Sequence, residues 1–205
     1  MNHLLKGIFA SFAFINITFA QSELITFDDL SGSGYIPPNY AGLQWSSDFW
    51  YLNAVQFEQI YGITGLNYGL ISGTEVAVNG YGVPVSITSS QLFDLTSAYL
   101  TAAFNDGMQL EVKGFADSTL LYDNTYTLSV TRPLLITFEY LGINEVDFVP
   151  SFNGDTSNFV MDNLLVSIPE PNVINFSICG AIIIIFGAPR LRQLPYLLRI
   201  AHPKK

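Results

Sequence analysis

Met108-Gln109-Leu110-Glu111-Val112-Lys113 puts an apolar side chain at every second position. That is the period of a β-strand with one packed face and one wetted face. A helix would instead ask for apolar residues three and four apart. The same texture extends in both directions from this stretch: short runs at 24–27, 50–54, 75–78, 85–88, 98–104, 108–114, 125–131, 134–140, 145–148 and 159–167, separated by Gly, Asn, Asp and Pro. No long stretch of helical period interrupts them. Many short strands without intervening helices predict an all-β fold, an antiparallel two-sheet β-sandwich with jelly-roll-like topology.

The 205 residues allow one ordinary domain, predicted over 21–168, with targeting segments at each end. Charge divides the chain sharply. Between Glu23 and Glu170 lie all seventeen acidic residues but only Lys113 and Arg132 on the basic side, a net of −15. A surface of that sign repels phosphate backbones, so nucleic acid is excluded as a partner. Cations and neutral, hydroxyl-rich ligands suit it.

At the start, residues 1–20 combine Lys6, an apolar stretch from Gly7 to Phe19, and the small Ala20 before Gln21-Ser22. These are the parts of a secretory signal peptide, with the mature chain expected to begin near Gln21. At the other end, Ile168-Pro169-Glu170-Pro171 precedes an apolar run over 173–188, which includes Ile182-Ile183-Ile184-Ile185-Phe186, and then Arg190 and Arg192. As a helix the run spans about 24 Å, and extending it through Leu191 with the arginines snorkelling approaches a hydrocarbon core of about 30 Å. Basic residues directly behind a span stay cytoplasmic, which assigns 193–205 as a basic cytoplasmic tail and everything before the span to the far side. A buried core helix is the alternative for an apolar run of this length.

The order Pro169-Glu170-Pro171, apolar helix, Arg190 and Arg192 resembles the PEP-CTERM sorting signal of Gram-negative bacteria, over 169–192. The resemblance implies recognition by a membrane-embedded exosortase-like processing enzyme and delivery to exopolysaccharide or the cell surface. Such tails usually stop soon after the arginines, whereas this chain continues to Lys204-Lys205. A plain single-span anchor therefore stands as the alternative.

The two histidines, His3 and His202, and the one cysteine, Cys179, all fall in the end segments. The domain itself thus lacks Ser-His-Asp and Cys-His catalysis, the usual zinc sites and any internal disulfide. What remains is carboxylate chemistry, in which a pair of acids at a defined separation hydrolyses glycosidic bonds. Ile25-Thr26-Phe27-Asp28-Asp29-Leu30 and the run from Phe159 to Val166 resemble the ends of extracellular jelly-roll modules similar to carbohydrate-binding modules. That resemblance implies a structural Ca²⁺ near Asp28, Asp29 and Asp162. The competing assignment has Asp28 and Asp29 capping a turn and Asp162 hydrogen-bonding a neighbouring loop.

Aromatic residues crowd the first part of the domain: Tyr35, Tyr40, Trp45, Trp50, Tyr51, Tyr61 and Tyr68. An exposed ring offers a flat apolar face to the C–H face of a sugar, although most rings in a sandwich fill its core. Tyr40, Trp45, Trp50 and Tyr51 are the glycan-binding candidates. Exposure is expected above all for Tyr40, in a Pro- and Asn-rich loop, and for Trp45, which precedes Ser46-Ser47-Asp48. The sequence therefore predicts a non-enzymatic surface or matrix protein contacting exopolysaccharide. The alternatives are a carboxylate-dependent glycan hydrolase or lyase and a purely structural surface protein.

Overall fold

Strand β7 (Met108–Ala116) carries the alternation that the sequence displays: Met108, Leu110, Val112 and Gly114 are buried, and Gln109, Glu111 and Lys113 lie at the surface. The structure, a computed structural model, describes residues 20–151 and 157–169. On one side β7 pairs with β8 (Thr119–Leu128), on the other with β9 (Leu134–Ser151). Beyond β9 lie β6 (Val85–Ala102), then β10 (Phe159–Pro169), β5 (Glu75–Asn79), β4 (Phe49–Asn53) and β2 (Ser33–Tyr35). The order is β2-β4-β5-β10-β6-β9-β7-β8, with β1 (Ala20–Ile25) added to β10 and β3 (Gln44–Trp45) to β6. Every pairing is antiparallel, and the described residues are mostly antiparallel sheet, as a β-sandwich requires.

The inner face buries one continuous apolar cluster that includes Phe27, Phe49, Phe93, Leu110, Phe148 and Met161. Its residues come from strands far apart in sequence, so the core and the pairing order specify each other. Runs 85–88 and 98–104, separate in the sequence reading, belong to the single strand β6; 134–140 and 145–148 both belong to β9. Three register shifts between Thr88 and Ser97 absorb the polar segment between the β6 halves. Such bulges raise local twist and let one long strand serve both halves of a sheet.

Two short helices were not expected. Helix α1 (Ala54–Tyr61) begins where Asn53 accepts a hydrogen bond from the Gln56 N–H (2.8 Å) and ends at Gly62, whose φ of +79° few other residues adopt. Ala54, assigned to a strand from the sequence, is therefore its first residue. Helix α2 (Gly65–Gly69) starts with a capping box between Thr64 and Asn67. Together they cover the outer face of β4, β5 and β10, where Ala54 and Leu66 pack on Val76, Val78 and Val160. Gly65 is obligatory there, since a Cβ would stand 1.8 Å from the Ala102 carbonyl oxygen.

Among the described residues no helix is long and apolar enough to cross a membrane. The signal peptide of 1–20, except for Ala20 itself, lies outside the described residues. So do Glu170, Pro171, the 173–188 span, Arg190, Arg192 and the tail. Pro169 ends β10 and pairs with Ala20.

Candidate aromatic platform and carboxylate clasp

Strand β4 has apolar side chains on both faces. Phe49 points into the main core, edge-on to Phe148 and Phe159 at ring separations of 6.1 and 6.2 Å. Trp50 and Leu52 point the other way, onto the outer apolar cluster. Backbone register sets Trp50 between Tyr35 of β2 and Val78 of β5. The Tyr35 ring lies 4.8 Å from that of Trp50, tilted at 60°. From the opposite side Tyr81 meets it edge-on at 5.5 Å and 85°. Tyr35 is 59 % and Tyr81 76 % exposed, so two wetted rings flank a half-buried indole.

Tyr81 is held there at a backbone cost. It stands in the turn Gly80–Gly82 at φ 57°, ψ 9°, a left-handed conformation uncommon for a bulky residue. Beneath the turn, fully buried Asn79 donates to the carbonyls of Val83 (2.9 Å) and Ser157 (3.0 Å) and accepts from the Phe159 N–H (2.7 Å). The Trp50 Nε1–H is buried and has no hydrogen-bond partner among the described residues, and a Cβ on Gly80 would stand 2.5 Å from it. A buried donor without a partner costs about 1–3 kcal/mol.

The glycan candidates from the sequence are distributed unevenly. Trp50 lies on this platform. Trp45 does not have the expected exposure: it is 9 % exposed, edge-on to Phe49 at 5.0 Å, and its indole donates to the Tyr40 carbonyl at 3.0 Å. Pairing of β3 with β6 at Trp45–Ile87 turns the ring inward. Tyr40 is half-buried against the core and its hydroxyl donates to Asp29; burial, then that bond, pushes its pKa upward and keeps it protonated. Tyr51 also packs on the core and donates to the Ser31 carbonyl at 3.4 Å. Tyr35 was noted only as part of the aromatic crowd, and Tyr81 was missed. The signal for Tyr81 was present in Gly80-Tyr81-Gly82, an aromatic residue at a glycine-flanked turn tip.

A shallow cleft of about 260 Å³ brings Glu23, Asp29 and Tyr40 together with Leu24, Ile25, Thr26 and Ala41. Asp28 and Asp162 meet elsewhere. Asp162, 0 % exposed on β10, accepts from the N–H groups of Ile71 (2.7 Å) and Ser72 (3.0 Å) through one oxygen and from Asn163 (2.7 Å) through the other. Asp28 accepts from the Thr74 N–H (3.1 Å) and the Ser72 hydroxyl (3.2 Å). The two carboxylates thus clasp the loop between α2 and β5. Burial raises the Asp162 pKa to about 6; the backbone donors oppose that rise and nearby Asp28 adds to it.

Ca²⁺ takes six to eight oxygen ligands. The groups facing these two carboxylates are N–H and O–H donors, and Asp29 instead faces the Tyr40 hydroxyl. Among the described residues no three His, Cys, Asp or Glu side chains group as a metal site. In this conformation the donor set fits a hydrogen-bonded clasp and does not fit the cation.

No protein-family model matches the chain, and no curated protein does. Among solved structures the chain is similar to "CBM32 of AlyQ in complex with 4,5-unsaturated mannuronic acid", with a TM-score of 0.34 and 10 % identity over 67 % of this chain and 100 % of that one. It is also similar to "TmCBM61 in complex with beta-1,4-galactotriose", with a TM-score of 0.33 and 7 % identity over 64 % of this chain and 90 % of that one.

Proposed function

We propose that this chain is a non-catalytic, glycan-contacting surface or matrix protein, a jelly-roll-like sandwich whose outer face offers Tyr35, Trp50 and Tyr81 as a sugar platform. The carrying observation is the pair of exposed rings on either side of Trp50, Tyr35 placed by strand register and Tyr81 by the Gly80–Gly82 turn. Rings held by strand register lose little freedom when they stack on a sugar, which favours binding. The net charge of −15 disfavours carboxylated or sulfated polysaccharides and selects neutral ones. The signal peptide and the PEP-CTERM-like tail support export and sorting by an exosortase-like enzyme, with the 173–188 span as membrane anchor.

The test is affinity electrophoresis through gels containing neutral polysaccharides (dextran, glucomannan) or carboxylated pectate. Retardation by a neutral polymer, weakened about tenfold or more in Trp50→Ala from the lost apolar contact, supports the platform. Retardation of Trp50→Ala and Tyr81→Ala equal to that of the wild-type chain, or no retardation by any neutral polymer, refutes it. Mass spectrometry of the mature termini from native cells tests the sorting part, with trimming expected near Gln21 and near Pro169-Glu170-Pro171.

The cleft at Glu23, Asp29 and Tyr40 supports a second reading, a carboxylate-dependent glycan hydrolase or lyase. Against it, Tyr40 is a poor base because its proton is held by Asp29. Reducing sugar released from the same polymers and abolished by Glu23→Gln or Asp29→Asn would favour this reading over the first.

A further inference from the structure

The Trp50 indole is the one ring of the platform whose polar edge is covered. Its Nε1–H is buried without a partner among the described residues, and Gly80 of the Gly80–Gly82 turn lies against it. Three features mark that turn as the movable part. Tyr81 is strained at φ 57° and would relax if the turn shifted. Glycines on both sides allow a large change in backbone angles at little steric cost. Among the described residues the turn's backbone bonds are the Gly80 N–H to the Asp48 carbonyl at 2.7 Å and a long Val83 N–H contact to the Gly80 carbonyl at 3.3 Å. The base does not share this looseness, because Asn79 ties β5 to both Val83 and Ser157.

We propose that the Gly80–Gly82 turn swings off Trp50 when a ligand binds, and that a hydroxyl or ring oxygen of the sugar then accepts the freed Trp50 Nε1–H. This rests on the platform reading and deepens it: Trp50 is a directional donor as well as a stacking surface, and the ligand must carry an acceptor oxygen at the edge of the stacked ring. The unmet donor and the strained tyrosine raise the energy of the closed state, and both are relieved together in the open one. Binding is therefore favoured over what stacking alone supplies.

The chain has two tryptophans, so it contains its own control. The Trp45 indole proton is hydrogen-bonded within the core at 3.0 Å and should exchange with water slowly. NMR on the ¹⁵N-labelled full chain reads the two indole protons separately, first alone and then with cellohexaose, maltohexaose and mannohexaose. Without sugar, the Trp50 proton is expected to exchange at least tenfold faster than that of Trp45, although both are covered. With a sugar that binds, the Trp50 proton should move downfield and become protected, while Trp45 stays put. In Tyr81→Asn, which tolerates the left-handed backbone and removes the covering ring, exchange should quicken further.

Equal protection of the two indoles in the free protein overturns the moving turn. Sugar binding that leaves the Trp50 proton unchanged overturns the donor assignment and leaves the platform standing. If none of the three sugars binds, both the platform and the donor assignment fail for these glycans, and the exchange rates alone still decide whether the turn opens.

Discussion

Replacing Asp162 with Ala removes the acceptor for three backbone N–H groups, those of Ile71, Ser72 and Asn163. A buried donor left without its partner costs about 1–3 kcal/mol, but the exposed Ile71 and half-buried Ser72 allow water to replace part of the lost bonding. A loss of about 4–5 kcal/mol on this count is reasonable. Against it stands the net cost of the ionised carboxylate in the fold, burial less what the three donors return. A pKa of about 6 in the fold, against an ordinary value of 3.8, corresponds to about 3 kcal/mol at neutral pH, reduced to about 2 by nearby solvent. The variant escapes that cost, so the net expectation is a destabilisation of about 2–3 kcal/mol at pH 7. The sign of the pH dependence follows from the raised pKa. The folded state binds this proton more tightly than the unfolded state, so the group's contribution is fully present below about pH 4 and is lost as pH rises through about 6. Between pH 7 and pH 5 the wild-type chain should therefore gain about 1 kcal/mol relative to Asp162→Ala. Urea unfolding at both pH values measures it, with equal slopes required before midpoints are compared. A destabilisation below about 1 kcal/mol at pH 7, or a gap that narrows on acidification, refutes the clasp.

Three further expectations separate the roles of neighbouring residues. Thermal melts with and without millimolar Ca²⁺ should coincide if the clasp already satisfies Asp28 and Asp162; a rise with Ca²⁺ that Asp162→Ala removes would establish the metal instead. Trp45→Ala should cost about 3–5 kcal/mol in urea unfolding through the core cavity, whereas Trp45→Phe, which keeps most of the packing, should leave glycan retention in gels unchanged. Asn79→Ala, which strands the Val83 and Ser157 carbonyls and the Phe159 N–H, should destabilise by about 3 kcal/mol or more in the same assay.

The alternation from Met108 to Lys113 was legible because one strand face is wet, and the structure places each of those side chains on the expected side. Trp45 and Trp50 were not legible as a pair. Both stand in polar, loop-rich sequence, and what separates them is pairing: β6, forty residues downstream, turns Trp45 inward, and the short strand β2 leaves Trp50 on the outer face. Sequence carries such long-range register only weakly. Helix α1 was too short for its period to stand out, although its cap at Asn53 and its stop at Gly62 are written plainly. Asp162 hydrogen-bonds a neighbouring loop, as one of the two assignments open at that point had it, whereas Asp28 reaches Ser72 and Thr74 across the chain and Asp29 meets Tyr40, neither capping its own turn.

Strand β10 has one consequence beyond binding. Trp50 sits level with Val78, and Val78 with Val160, while the chain leaves the sheet at Pro169, nine residues and roughly 30 Å further along the same strand. A pull applied at Pro169 and resisted at the platform would run along the axis of β10. Its ladders to β1, β5 and β6 would then be loaded in shear, many bonds yielding together, and not peeled apart one at a time. A sheet wired this way resists tension along β10 collectively.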